Sequence, residues 1–389
     1  MLKKLLVVVD SLQVGGAEYD IVRNYPLLNK INFNIKVITL RDVGPLSAKL
    51  RQNGIRVDSL EERLPNWLLS LGRLPIIGKW LEFALTPIIY TLLTMYLAKY
   101  IKRYKIDIVH TYLTRSYFIA GLVYILSFKK FKLINSRLGL SENLRRNLFT
   151  SYYERRFLHK FCTKIIANSN AVINDLIVEG VSPKKIELVY NGIDTASFKR
   201  YTAAPPAKVV EITAVGNLHA YKGYADLIQA IKLLVERGVH NFHVSIAGKD
   251  IDANLTQYLA FIEQHNLGSY VKFVGLYKDV RVLLQKSMMQ VHPSHTEGLG
   301  SAIIEAMAAR LPVIAYNVGG IPELIDNEHE GFLVEAFNIE EFANAMQTLI
   351  QNPDLCHIMG EKAEIKAQLN FDVHSSSSNL GKIYTELAN

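Results

Sequence analysis

Short apolar runs alternate with stretches of helical period along the chain. LKKLLVVVD at the start reads as a strand, and AEYDIVRNYPLLNK after it as a helix. NIKVITL, IDIVHTY, FKLINSR, KIIANS and KIELVYN continue the strand series, with helical segments between them. A second series starts at VVEITAVG and runs through HVSIAG, YVKFVG, MMQVHPS and LPVIAY. These are continuous apolar runs, so both of their faces must be covered, as in parallel sheets flanked by helices. Two series predict an α/β chain of two doubly wound, Rossmann-like domains. RYTAAPPAK, Arg200–Lys208, has paired prolines and no periodic apolar pattern, which suits a linker. The expected domains are 1–200 and 201–371, with HSSSS as a loop before a last helix.

Residues 63–104 break the pattern. Phe83 to Ala98 carries no charge but contains Pro87 and three threonines. A bilayer-spanning helix needs about 20 apolar residues, so this stretch is short. Its basic and aromatic flanks, among them Arg63, Trp67, Lys79, Trp80, Lys99 and Tyr100, suit a segment lying in a membrane interface. The alternative is an ordinary helix packed within the first domain.

Composition narrows the function classes. A length of 389 residues favours two cores over one. Hydrophobic content of 49% with 21% charged residues excludes a disordered chain. Two cysteines, Cys162 and Cys356, exclude a disulfide framework and fit a reducing, cytoplasmic compartment. The apolar run Leu5–Val9 stops at Asp10, too soon for a secretory signal. The net charge of +8 conceals an asymmetry: residues 1–200 carry 31 Lys and Arg against 15 Asp and Glu, and the remainder 13 against 21. A basic half points to an anionic partner, a membrane surface or nucleic acid; solvated faces are the plain alternative. No nucleic-acid motif accompanies the charge, and the second half is acidic, so no nucleic-acid partner is expected.

The chemistry concentrates in HTEGLGSAIIEAMAARLPVIA, His295 to Ala315, where Glu297 and Glu305 stand eight positions apart. MMQVHPS ends a strand, and Ser301 to Arg310 reads as a helix. Gly298 and Gly300 allow the tight turn between them. Such a turn lies at the carboxyl edge of a doubly wound sheet, where ligands bind, and the helix N-terminus favours an anion. Glu305 is one turn in, roughly 6 Å along the axis from Ser301. Carboxylates repel phosphate but accept hydrogen bonds from hydroxyls. A ligand with hydroxyls on both sides of a diphosphate is a nucleotide sugar. The plain alternatives are a loop carboxylate for Glu297 and a surface or salt-bridged one for Glu305.

Here the chain resembles a known family. Glu297-Gly-Leu-Gly-Ser-Ala-Ile-Ile-Glu305 is similar to the E-x7-E motif of glycosyltransferase family 4, retaining enzymes of the GT-B fold. VGGAE (Val14–Glu18), LVYNGIDTASF (Leu188–Phe198), AVGNLHAYKG (Ala214–Gly223) and AYNVGGIPELI resemble further family stretches, in the family's order. The resemblance implies an α/β, GT-B architecture: two Rossmann-like domains facing across a cleft, with the last helix, 372–389, packing back on the first. It implies that Glu297 contacts the hydroxyls of the transferred sugar and Glu305 the ribose. Lys222 would neutralise the departing diphosphate, a role that also follows from the charge the leaving group gains. Gly15, Gly16, Asn217, Gly298, Leu299, Gly300 and Ser301 complete the implied donor-binding set. A dinucleotide reading of Gly15 and Gly16 is weak, since G-x-G-x-x-G is incomplete.

One departure stands out. The family commonly has arginine where this chain has Asn217, so a second cation beside Lys222 is missing; His219 is a possible substitute. His110, ending IDIVH, and Arg137, in INSRLGL, are candidate acceptor or sugar contacts, although a satisfied core histidine fits His110 equally. Asp250-Ile251-Asp252 spells the D-x-D of metal-dependent glycosyltransferases of the other common fold. Its place before ANLTQYLAFIEQH favours helix capping instead. No zinc-type spacing occurs, and no cofactor or essential metal is expected. The expected function is transfer of a sugar, UDP-linked for preference, to a lipid-linked or cell-envelope glycan at the inner membrane surface. The rival is a non-catalytic partner protein of the same fold that binds nucleotide or lipid. Asn217 favours it; Glu297, Glu305 and Lys222 oppose it.

Overall fold

A computed structural model describes residues 2–31, 33–65, 78–141, 158–198, 209–277 and 279–388. The linker Arg200–Lys208 and residues 66–77 of the apolar segment lie outside the described residues. The chain divides into two compact units, Met1–Gly192 with His374–Asn389, and Ile193–Val373.

The first unit is built on a seven-stranded sheet: β1 (Lys3–Val9), β2 (Phe33–Thr39), β3 (Arg56–Ser59), β4 (Ile108–Tyr112), β5 (Lys132–Arg137), β6 (Lys164–Ala167) and β7 (Ile186–Leu188). The order is β3-β2-β1-β4-β5-β6-β7, and every pairing is parallel. β1 shows why the strands lack polar alternation. Leu6 and Val8 enter one core with Leu93, Leu97 and Tyr117. Leu5, Val7 and Val9 enter another with Tyr25, Leu28 and Tyr384. A strand covered on both faces has no solvated side to offer polar residues.

Two expectations change here. HSSSS is not a loop: it belongs to the helix Val373–Ala388. Ser376 and Ser377 are buried, and Ser377 donates to the Asn24 side chain at 2.8 Å. Tertiary partners override the weak helix propensity of serine. The rest of this helix, through Leu380, Ile383 and Tyr384, fills the second core of the first unit. Of the apolar segment, residues Gly78–Tyr104 form one helix. Its C-terminal half is core: Leu93, Leu97, Tyr100 and Ile101 are buried, and Tyr100 donates to Asp58 at 2.6 Å. For that half the packed-helix alternative holds. Among the described residues no helix is long and apolar enough to cross a membrane.

The second unit has a six-stranded parallel sheet: β8 (Val210–Val215), β9 (Phe242–Ala247), β10 (Val271–Gly275), β11 (Met289–His292), β12 (Val313–Tyr316) and β13 (Gly331–Val334), ordered β10-β9-β8-β11-β12-β13. The strand order reverses at β8, whose neighbours are β9 and β11. The loops leaving β8 and β11 therefore emerge side by side at the carboxyl edge, the place where such sheets bind ligands.

Candidate active site

β11 is buried throughout and ends at His292. After Pro293 and Ser294 the chain turns and enters the helix Ser301–Ala308 through Gly300, at φ 103. That left-handed angle suits glycine. The helix buries Ile303, Ile304, Ala306, Met307 and Ala308. Ser301 and Glu305, one turn apart, are half-buried. The neighbouring loop leaves β8 through Gly216 and Asn217 and makes a short turn, Ala220–Lys222. Gly223 follows at φ 67, and a side chain there would run into the carbonyl of Pro293. Glycine thus lets the two loops touch. His295 locks them: its backbone amide donates to the Tyr221 carbonyl at 2.8 Å. Its ring pairs with Asp226 at 2.8 Å, and Tyr316 donates to the same carboxylate oxygen at 3.1 Å.

This contact sets Lys222 Nζ 2.6 Å from Glu297 Oε2, with both side chains largely buried. His292 Nε2 lies 3.2 Å from the same oxygen and 3.0 Å from Ser294 Oγ. Burial pushes the Glu297 carboxyl up, but the Lys222 ammonium and the His292 hydrogen bond outweigh it and hold the group well below the usual carboxylate range. Burial lowers Lys222, and Glu297 more than reverses this. Burial also lowers His292, so its ring is neutral near pH 7. An ionised carboxylate only accepts, so the His292 proton sits on Nε2. The site therefore keeps an ammonium and a carboxylate, each stabilising the other out of bulk water.

The turn itself is buried at Gly298, Leu299 and Gly300. The Gly320 amide donates to the Glu297 carbonyl at 3.2 Å, tying it to the VGGIPELI stretch. Asn217 accepts from the Lys249 amide at 3.1 Å, so it bridges the loops after β8 and β9. His219 faces Asp252 at 3.3 Å and stacks on Tyr221. Asp252 also accepts from the Ala220 amide at 3.1 Å. Asp250 accepts from the amides of Asn254 and Leu255, at the start of the helix Leu255–Gln264. That is helix capping.

Four candidates belong to the first unit. Gly15 precedes the helix Gly16–Ile31, and Gly16 is its first residue; a side chain at Gly15 would collide with the Glu18 carboxylate. His110 is fully buried in β4. Its Nδ1 meets Tyr25 and Tyr384 at 2.7 and 2.6 Å, and its Nε2 meets Ser136 at 2.9 Å. Both nitrogens are satisfied inside the core, as the core-histidine alternative requires. Arg137 is buried too, donating to the Gly139 carbonyl at 3.0 Å and to Glu179 at 3.1 Å. It braces the chain after β5 against the end of the helix Asn170–Val178. His292, His295, Asp226 and Tyr316 escaped the sequence reading. The signal for His292 was a polar residue closing an apolar strand five positions before Glu297.

Two family models together cover nearly the whole chain: Glycosyltransferase Family 4 over residues 16–197 and Glycosyl transferases group 1 over 198–366. The chain belongs to glycosyltransferase family 4. An uncharacterised glycosyltransferase of Haemophilus influenzae is 32% identical over 40% of this chain and 44% of its own length. The family 4 chain is also 24% identical, over 94% of its length and 95% of the relative's, to a Campylobacter jejuni enzyme. That relative is N-acetylgalactosamine-N,N'-diacetylbacillosaminyl-diphospho-undecaprenol 4-alpha-N-acetylgalactosaminyltransferase. The solved structure of Anabaena Alr3699/HepE in complex with UDP and glucose superposes with a TM-score of 0.82 at 19% identity, covering 99% of this chain and 100% of that one. The fold of this glycosyltransferase is GT-B, with two Rossmann-like domains.

Proposed function

We propose that this glycosyltransferase moves a hexose or N-acetylhexosamine from a UDP-linked donor to a lipid-linked or cell-envelope glycan, with retention of configuration. The Lys222–Glu297 pair beside the Ser301–Ala308 helix carries the reading. On donor binding, Lys222 exchanges the carboxylate for the diphosphate, whose charge grows as the glycosidic bond breaks. Glu297 then accepts from sugar hydroxyls. Glu305 accepts from the ribose, and the Gly298–Ser301 turn approaches the phosphates. Asn217 holds the adjoining loop. A carboxyl held so far below its usual range stays ionised near neutrality, so Glu297 grips rather than donates a proton. No enzyme nucleophile is invoked: the acceptor enters on the face the nucleotide leaves, assisted by the departing phosphate. Lys222 supplies the cation at the leaving group, so no essential metal is assigned. In the first unit, the Gly15–Gly16 turn is assigned to the donor, and Arg137 to bracing the acceptor side.

The HepE complex with UDP and glucose supports the nucleotide, and the Campylobacter relative, acting on a diphospho-undecaprenol, supports the acceptor class. A lipid-linked acceptor places the work at the inner membrane surface. The test is a panel of nucleotide sugars incubated with detergent-solubilised membrane extract, reading nucleotide release. UDP release from one UDP-sugar is expected. No release from any donor would move the protein to the non-catalytic binding role.

A further inference from the structure

Glu297 is held by two donors that meet on one atom. Lys222 Nζ and His292 Nε2 both reach Oε2, at 2.6 and 3.2 Å. Among the described residues Oε1 takes no hydrogen bond. The two donors differ in how firmly the fold fixes them. Lys222 ends the short turn Ala220–Lys222, and its ammonium rides on a long, flexible stem. His292 ends β11, a strand buried at every position, and its side chain is only 4% exposed. Ser294 Oγ, itself buried, lies 3.0 Å from the same ring nitrogen. The Nε2 proton therefore bridges a carboxylate and a hydroxyl, on a ring that the strand holds in place.

Donor binding removes one of the two. Once Lys222 turns to the diphosphate, Glu297 loses its cation and gains an anion nearby, and both changes favour a protonated carboxyl. A protonated carboxyl has fewer acceptor sites for sugar hydroxyls. We infer that His292 is a positioning residue: it holds Glu297 by Oε2 while Lys222 serves the diphosphate, and so keeps Oε1 for a sugar hydroxyl. The assignment rests on the transfer reaction proposed above. The hand-over needs no movement of the ring, because its hydrogen bond is already made. Ser294 gives up its share of the proton as the Glu297 charge becomes unpaired. Protonation of the ring would not undo the contact, since Nε2 carries a proton in either state. The other titratable groups nearby are engaged elsewhere. Tyr224 donates to the Gly216 carbonyl at 2.7 Å, and burial and Glu297 push its hydroxyl up. The Lys222 ammonium lies over the Tyr221 ring, and His295 pairs with Asp226.

The pH dependence of nucleotide release tests the inference. The acidic limb of kcat reports the donor-bound enzyme, and that of kcat/KM the free enzyme. His292→Leu continues the apolar run of β11 and removes the N–H. With the UDP-sugar that wild type cleaves, and solubilised membrane extract in excess, it should lower kcat about tenfold near neutrality. It should also move the acidic limb of kcat up by about one pH unit. The acidic limb of kcat/KM should stay in place, because Lys222 still holds Glu297 in the free enzyme. His292→Gln sets an amide N–H at the place of Nε2 and cannot titrate, so it should recover most of kcat and the wild-type limb. The shorter amide of His292→Asn reaches only the place of Nδ1 and should behave as the leucine variant. Comparing the two amides keeps the test decisive if thermal melting shows the leucine variant unfolded. The inference is overturned if His292→Leu and His292→Asn keep wild-type kcat. It is overturned too if they lose activity with the kcat limb unmoved, as a purely structural fault would do, or if His292→Gln does no better than His292→Asn. Absence of release by the wild type from every donor withdraws the transfer reaction and the inference with it, so the two failures register in different proteins.

Discussion

Each unit buries a cluster of titratable side chains, and the two clusters respond to burial in opposite ways. In the first unit Asp20, Tyr25, His110, Tyr112 and Tyr384 form one hydrogen-bonded group. Burial drives its members toward their neutral forms. It pushes Asp20 up to about 6, His110 down to about 3, and the three tyrosines well above their ordinary range. In the second unit Lys222 and Glu297 stay charged, because each outweighs the other's desolvation. A buried network whose groups all find partners within the core is complete without a ligand. One that retains opposite charges holds groups that an incoming anion and its hydroxyls can take over. The contrast separates His110 from His292: both are buried strand histidines, but only the second touches a retained charge.

The largest expected effect breaks the charged cluster. Lys222→Ala should lower nucleotide release by about 10²–10³-fold, the usual cost of removing a group that stabilises transition-state charge. Normal release would remove the pair from the reacting centre. Combining Lys222→Met with Glu297→Gln should restore stability but not activity, as judged by thermal melting beside the release assay.

The cluster of the first unit makes a pH-dependent prediction. Asp20 has a folded value above its unfolded one, so its stabilising share is present in acid and is lost as pH rises through about 6. His110 has a folded value below its unfolded one, so its share is present above 6.5 and is lost as pH falls toward about 3. Between about pH 4 and 6 the two slopes oppose each other. Asp20→Asn should uncover the histidine slope, a gain of about 1.4 kcal/mol per pH unit relative to the parent protein across that window. Denaturant titrations at three pH values measure it; parallel curves for variant and parent would contradict the raised Asp20, and a flat curve for the variant would contradict a neutral buried His110.

Tyr384→Phe should cost about 1–2 kcal/mol of stability by loosening the last helix, with the donor KM unchanged. A changed KM would link the cluster of the first unit to the site after all. The smallest effect concerns Asn217. Asn217→Arg restores the family's second cation and should lower the donor KM about fivefold, within the range of one added charge-assisted hydrogen bond. The loss of the Lys249 amide contact opposes this gain. An unchanged KM would show that Lys222 alone meets the diphosphate.

Most strands of both sheets were legible because an unbroken apolar run, too short for a helix and bounded by turn residues, fits a strand covered on both faces. β3 (RVDS) and β13 (GFLV) were not, since each has four residues and lies at a sheet edge with partly exposed positions. Glu297 and Glu305 stood out through local turn and helix signals, and Lys222 through the resemblance of AVGNLHAYKG to the family. Asp226, His295 and Tyr316 did not, because their meeting depends on β11 lying beside β8. That pairing joins Met289 to Ile212, a separation far beyond any local period. His110 and Arg137 were visible as polar residues at strand ends. Whether such a residue faces a ligand or its own core is decided by helices distant in sequence, here by Tyr384 and Glu179.

The helix Val373–Ala388 has a consequence for how the protein is made. Tyr384 belongs to the core of the first unit, yet it leaves the ribosome only after the whole of Ile193–Val373 has been synthesised. The first unit must wait with Tyr25, Leu28 and His110 lacking their last partner. Nascent chains stalled before this helix should therefore expose that face to chaperones and proteases, and the first domain becomes whole only once Val373–Ala388 has emerged.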